Sequence, residues 1–383
     1  MTAMTADVVV TGYGVRTAFG SGPEAATGGV FAGRTSFRRV RRFDTTGFRS
    51  GFAAVPDDTE TPALSGALRE VADAAVGMAD LPAGGETAVL LGTAGDFTAV
   101  TRFWRSGGED ADGVADTVPA ALAESLATRF GARGPKYAFT NACVASATAI
   151  ATGCALIADG RVDSAICAGG YLVEVENQAK FDSGWALAKD GTLRPFSAGR
   201  SGLLLGDGAA AVVLESADAA HRRGAPALAR VSGWGMASDA HHVARPHPEA
   251  RGLVAASRLA LRRAGARYVD YVNAHGTGTK HNDIAETRGF HELFGPAAAA
   301  VPISSTKGST GHLLEGSGAV EFVIALTALR SGIVPPTAGF TEPDPACDLD
   351  YVPNEAREAP LRRVLSVNAA FGGANTALVL EQV

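Results

Sequence analysis

The sequence predicts an α/β protein made of two copies of one unit, stacked through buried helices. Three observations carry that reading. Gly206-Asp207-Gly208-Ala209-Ala210-Ala211-Val212-Val213-Leu214-Glu215 aligns without a gap with Gly372-Gly373-Ala374-Asn375-Thr376-Ala377-Leu378-Val379-Leu380-Glu381, 166 positions on. The shared leading glycine and closing Leu-Glu set the match apart from a chance likeness of two buried strands. Each half also carries a helix of mostly small or apolar residues, Cys143 to Ala158 and Leu313 to Leu329, the second interrupted only by Glu315 and Glu321. A helix apolar on all faces is a buried one. Finally, β-rich runs alternate with these helices, which implies parallel sheets covered on both faces.

Taken in order, Val8 to Val10 read as a buried strand running into a turn at Thr11-Gly12-Tyr13-Gly14, and Ala229 to Met236 repeats the pattern. Asp159-Gly160-Arg161 and Arg330-Ser331-Gly332 close the two buried helices. Segments Arg105 to Thr117 and Ala179 to Arg194 are polar, Gly-bearing and poorly periodic, as loops over a site or at a subunit contact are. The boundary between the copies falls in Ala217 to Pro226, giving halves 1–222 and 223–383 that form one rigid body.

With 383 residues, 46% hydrophobic, 19% charged and 47 glycines, the chain suits a compact fold rich in small residues. A net charge of -6 argues against nucleic acid or an anionic membrane as a partner. The one dense basic cluster, Arg34, Arg38, Arg39, Arg41 and Arg42, lies in a loop-like segment and reads as solvated surface. The cysteines at 143, 154, 167 and 347 have no zinc-site spacing, so no metal is expected and reduced thiols are. The start runs through small residues into a strand with no signal-peptide pattern, and a cytoplasmic protein is expected. The uncharged run from Tyr137 to Ala158 is long enough for a membrane helix, but its Ala, Thr, Ser and Gly content splits it into a short strand and a helix.

Chemistry gathers at four stretches. Cys143 opens the first buried helix, where unpaired N–H groups and the helix dipole favour a thiolate and an acyl-accepting nucleophile belongs, although a small core cysteine has the same composition around it. Tyr271-Val272-Asn273-Ala274-His275-Gly276-Thr277-Gly278-Thr279 is a strand that empties into a histidine at its carboxyl end, where parallel sheets bind ligands. Ser304 to His312 puts a second histidine at the start of the other buried helix, in the place Cys143 takes in the first half. Phe371-Gly372-Gly373 opens the last strand with paired glycines that permit close backbone approach.

Asn141-Ala142-Cys143, Asn273-Ala274-His275-Gly276-Thr277-Gly278-Thr279, Lys307 with Gly311-His312, and Phe371-Gly372-Gly373 resemble the Cys-His-His signature of β-ketoacyl-ACP synthases. The resemblance runs nearly end to end, through Phe43-Asp44, Arg194-Pro195-Phe196 and Pro335-Pro336-Thr337. It implies the thiolase fold, with its halves in five α-β-α-β-α layers, and decarboxylative Claisen condensation of an acyl group on Cys143 with malonyl-ACP. By the same resemblance Cys143, His275 and His312 are catalytic, the amides of Cys143 and Phe371 hold the oxyanion beside Gly372 and Gly373, Lys307 and Glu321 form a supporting pair, and Thr277 and Thr279 bind the phosphopantetheine arm. No cofactor is implied beyond that arm, which belongs to the acyl carrier protein. The implied partners are the carrier protein and a second subunit, in a homodimer or in a heterodimer with a chain-length-factor-like chain.

This sequence departs from the family's pattern in places. Glu315 stands where a Gly or Ala is usual, Gly278 replaces a common Ser, Ala370 replaces the Gly before Phe371, and the chain is short. These changes point to a specialised polyketide or lipid pathway over housekeeping fatty-acid synthesis. The alternatives are a ketosynthase-like acyltransferase, against which the intact pair His275 and His312 speaks, and a non-condensing partner subunit, against which Cys143 speaks.

Overall fold

The computed structural model describes residues 6–383, so the first five residues of the start discussed above lie outside it. Ten strands follow one another in one sheet, with a two-residue strand, Gly20–Ser21, pairing on its side. In the first half they are β1 (Val8–Thr17), β2 (Ala88–Gly92), β3 (Lys136–Phe139), β4 (Ser164–Tyr171) and β5 (Gly208–Ser216); in the second, β6 (Ala229–Ser238), β7 (Tyr271–Asn273), β8 (Ile303–Ser304), β9 (Arg363–Ala369) and β10 (Ala374–Glu381). Their order is β3-β2-β4-β5-β1 and then β6-β10-β9-β7-β8, the same path in each half, joined where Val9 pairs with Arg230 and Val10 with Ala229. The aligned repeat ends coincide with β5 and β10.

Parallel pairing is confined to β3-β2-β4 and β8-β7-β9; β1, β5, β6 and β10 pair antiparallel, so the sheet is mixed and not parallel throughout. The segment from 172 to 207 folds back over the carboxyl end of β4 without crossing to the other end, which reverses β5.

Helices complete five layers. α1 (Leu64–Ala79) and α2 (Pro119–Phe130) cover one outer face, and α5 (Arg251–Arg263) and α6 (Lys280–Phe294) cover the other. Between the half-sheets lie α3 (Ala145–Ala158) and α7 (Ser317–Ser331), each preceded by a 3-10 turn, Ala142–Val144 and Leu314–Gly316. In α3 every residue but Thr152 and Ala155 is buried, as its composition dictates. Among the described residues no helix is long and apolar enough to cross a membrane.

Three local expectations change. Gly12 and Gly14 do not turn the chain. They sit inside β1, where a Cβ would come within 2.2 Å of the Ala75 carbonyl oxygen and 2.1 Å of that of Val71, so they admit α1 to the sheet. Gly233 and Gly235 do the same for α5. Residues 179–183, read as loop, close the helix α4 (Val175–Ser183), and Val114–Thr117 forms a 3-10 turn. Arg42 is not solvated; its buried guanidinium pairs with Asp58 at 2.7 Å and Asp207 at 2.6 Å, and two carboxylates offset its desolvation.

The contact between α3 and α7 fixes the middle layer. The backbone N–H of Ala319 donates to Ser146 Oγ at 2.9 Å, and a Cβ on Gly318 would lie 2.5 Å from the backbone nitrogen of Ala147. Gly318→Ala is therefore expected to push the helices apart and to cost about 1–3 kcal/mol. Urea unfolding checks this, as a lower midpoint at unchanged slope.

Candidate active site

Cys143 sits in the 3-10 turn ahead of α3 and is 6% exposed. Ala142 before it takes φ +54°, a left-handed conformation that costs any residue with a Cβ and directs the chain into the turn. Leu314 takes φ +41° at the same place before α7. Matching the two helix starts, Ala145 and Ser317, sets Leu314 against Ala142 and Glu315 against Cys143. The repeat therefore places Glu315, and not His312, at the counterpart of the cysteine; His312 lies three residues earlier.

His312 is nevertheless at the thiol. Its Nε2 is 3.2 Å from Cys143 Sγ, and its Nδ1 is 3.0 Å from Ser317 Oγ. Its backbone is tied on both sides, the N–H donating to Leu204 O at 2.7 Å and the carbonyl accepting from Gly206 N at 3.1 Å. His275 follows β7 and meets His312 edge to face, with ring centroids 5.3 Å apart at 84°. The N–H groups of His275 and Gly276 each donate to Glu286 on α6, both at 2.7 Å, while His275 Nδ1 is buried without a partner. Gly276 is required here: a Cβ would approach that of Ser305 to 2.4 Å.

Beneath the histidines, Lys307 and Glu321 form a fully buried ion pair, and Asn368 Nδ2 donates to the second Glu321 oxygen at 2.6 Å. Burial, and then the charge of Lys307, hold both imidazoles well below their ordinary pKa, so both are neutral at pH 7. Phe371 is half-exposed and stacks on Phe181 of α4 at 5.9 Å. Gly372 and Gly373 behind it take φ +83° and +81°, which favour glycine. Thr277 Oγ1 and Thr279 Oγ1 bond each other at 2.9 Å.

Burial pushes the Cys143 thiol up to about 12, and the charge of Glu315 adds to the rise; Lys307 and hydrogen bonds from the N–H groups of Cys143 and Phe371 oppose it. The helix start does not by itself make a thiolate here, because desolvation outweighs it. What the arrangement offers is a thiol, a neutral acceptor for its proton at 3.2 Å, two amides at the sulfur and a second neutral imidazole.

Sequence reasoning brought Cys143, His275, His312, Lys307, Glu321 and Phe371 to attention, and the chain gathers them. It passed over Glu286, Ser317 and Asn368. Glu286 could have been found from its spacing with Asn282 and Asp283, one face of the helix that follows the histidine strand. Ser317 and Asn368 carry no local signal.

Residues 60–220 match the family described as the Beta-ketoacyl synthase N-terminal domain and residues 228–341 its C-terminal domain. Similarity extends over 98% of the chain and 97% of the tetracenomycin polyketide synthase ketoacyl synthase alpha subunit of Streptomyces glaucescens, at 36% identity. Among solved structures, the ishigamide ketosynthase/chain length factor superposes with a TM-score of 0.90 at 33% identity over 99% of this chain and 100% of that one. A type II PKS acyl-carrier protein in complex with its ketosynthase bound to the hexaketide gives 0.91 at 25% identity, over 99% of this chain and 100% of that one. These neighbours identify the architecture as the thiolase fold.

With the thiol held near 12, alkylation of Cys143 by a neutral reagent such as iodoacetamide should rise about tenfold per pH unit from 7 to 10 without a plateau. Peptide mapping with timed quenching checks this; a plateau near pH 8 would show a stabilised thiolate.

Proposed function

The chain belongs to the β-ketoacyl synthase family, and on that premise we propose that it catalyses decarboxylative condensation of an acyl group held on Cys143 with malonyl-ACP. One observation carries the reading: a neutral imidazole lies 3.2 Å from the nucleophile, with a second neutral imidazole across from it and a buried ion pair beneath.

In the first half-reaction the Cys143 proton passes to His312 Nε2 as the sulfur attacks the acyl thioester. The N–H groups of Cys143 and Phe371 hold the oxyanion, each worth roughly 3 kcal/mol of barrier. Collapse expels the pantetheine thiolate, which takes the proton from His312 and leaves that ring neutral again. Ser317, at 3.0 Å from Nδ1, either accepts from or donates to that nitrogen, so it supports both tautomers.

In the second half-reaction malonyl-ACP loses carbon dioxide, and the electron pair of the broken bond becomes an enolate on the thioester. Donors from His275 and His312 stabilise its oxygen without adding a charge; burial, and then the charge of Lys307, keep both rings neutral, and Glu321 keeps Lys307 paired. The carbanion attacks the acyl-Cys143 carbonyl, the tetrahedral oxyanion collapses to the ketone, and the cysteine leaves as a thiolate that takes a proton from solvent. Loss of carbon dioxide supplies the carbanion, so the step calls for no redox cofactor. Thr277 and Thr279 line the approach of the pantetheine arm.

The solved relatives named above include a ketosynthase with its acyl-carrier protein and a ketosynthase with a chain length factor, which supports the same two kinds of partner here. The exposed edge strand β3, adjacent in sequence to Cys143, is the surface on which a second subunit extends the sheet. Light scattering at micromolar concentration should give a dimer, alone or with a chain-length-factor-like subunit; an active monomer overturns this part.

The histidines separate the half-reactions. His275→Ala should still accept acyl groups from acyl-ACP while condensation falls roughly 100- to 1000-fold. His312→Ala should lose acylation as well, because it removes the acceptor of a proton bound as tightly as that of Cys143. Intact mass follows the acyl-enzyme and trapped label follows carbon dioxide from malonyl-ACP. Unchanged decarboxylation in both variants would overturn the mechanism.

A further inference from the structure

Two polar groups beside Cys143 have no part in the mechanism above. Glu315 stands in the turn that packs against the Cys143 turn, and its neighbour Leu314 shares one apolar cluster with Cys143, Tyr171 and Phe181. Its charge acts on both the Cys143 thiol and the Tyr171 hydroxyl. Burial pushes the Glu315 carboxyl above its ordinary value, opposed only by its own backbone N–H and by Lys180 on α4, which is itself bonded to Asn177 Oδ1 at 3.1 Å. Tyr171 ends β4 at 5% exposure, and its buried hydroxyl has no side-chain partner; the Glu174 N–H is turned on its oxygen, which leaves the O–H free to donate.

A saturated alkyl chain laid past these two groups would seal a carboxylate and a hydroxyl from water and give neither a partner. A chain bearing a hydroxyl offers a donor to the Glu315 carboxylate and an acceptor to the Tyr171 O–H. Beyond them the lining is mixed, with Leu64, Phe97 and Leu172 beside the polar groups. Tyr171 shares a small cleft with Asp96, Thr98 and Glu174, and Thr98 and Glu174 also border a cavity of roughly 300 Å³ further on.

We propose that Glu315 and Tyr171 form a specificity site for the acyl group on Cys143, selecting chains that carry a hydroxyl near the thioester over saturated chains of equal length. The inference rests on the acylation of Cys143 proposed above and names the class of acyl substrate for it. Glu315 is a specificity residue here and takes no part in bond making.

The test compares N-acetylcysteamine thioesters of hexanoic, 3-hydroxyhexanoic and 5-hydroxyhexanoic acids as acyl donors to the full-length protein, with the rate of Cys143 acylation read by intact mass. The wild-type protein should be acylated at least tenfold faster by one of the hydroxylated donors than by hexanoyl. Glu315→Leu should reduce that preference to threefold or less by raising the hexanoyl rate. Tyr171→Phe, which keeps the ring and so the fold, should reduce it by slowing the hydroxylated donor. Equal rates for all donors in the wild type, or a preference unchanged in both variants, overturns the proposal while leaving the proposed function standing. Failure of every donor to acylate wild-type Cys143 overturns the proposed function and this inference with it.

Discussion

The site depends on the crossing of α3 and α7. Cys143 comes from the first half and His275, His312 and Lys307 from the second, so no half contains the chemistry by itself. The crossing is held by small atoms at short range: Ser146 Oγ accepts from Ala319 N, and Gly318 leaves room for Ala147. Further glycines admit α3 to its sheet, for a Cβ on Gly92 would lie 2.2 Å from the nitrogen of Ser146. The Ala, Gly and Ser content of the helices is thus a condition for the 3.2 Å approach of His312 to Cys143.

Electrostatics inside that layer are governed by desolvation. Burial raises the thiol and lowers both imidazoles, and Lys307 with Glu321 supplies paired charge without exposing either member. At rest the thiol and both imidazoles are neutral, with the amides of Cys143 and Phe371 already turned to the sulfur. Glu286 serves the same end from the backbone side. Its carboxyl, pushed up to about 7 by burial, accepts two N–H groups and so fixes the loop that carries His275.

Much of this was legible in the chain. The repeat at Gly206 and Gly372 predicts β5 and β10, and the uncharged helices predict the middle layer, because a buried element writes its environment into consecutive residues. The residues that met at the site were marked by small neighbours and by strand ends. What sequence did not show was register and sign. The pattern of Gly12 and Gly14 is the same for a turn as for a strand against which a helix packs, and only the partner helix decides. His312 looked like the counterpart of Cys143 because both precede a buried helix, while the three-residue offset that substitutes Glu315 is a matter of backbone geometry at Leu314. The helix dipole at Cys143 was readable, but the desolvation that exceeds it comes from residues distant in the chain.

The seam between β1 and β6 has a meaning for the chain as a whole. Val9 and Val10 meet Arg230 and Ala229 there, and the sheet passes from one half to the other without a break. Either half made alone would carry a bare strand edge where its twin now lies, next to a middle helix with its apolar face uncovered. The repeat thus divides the sequence without dividing the folding unit. A polypeptide released as two fragments would have to associate before either could hide its core, and Cys143 would have no histidine beside it until they did.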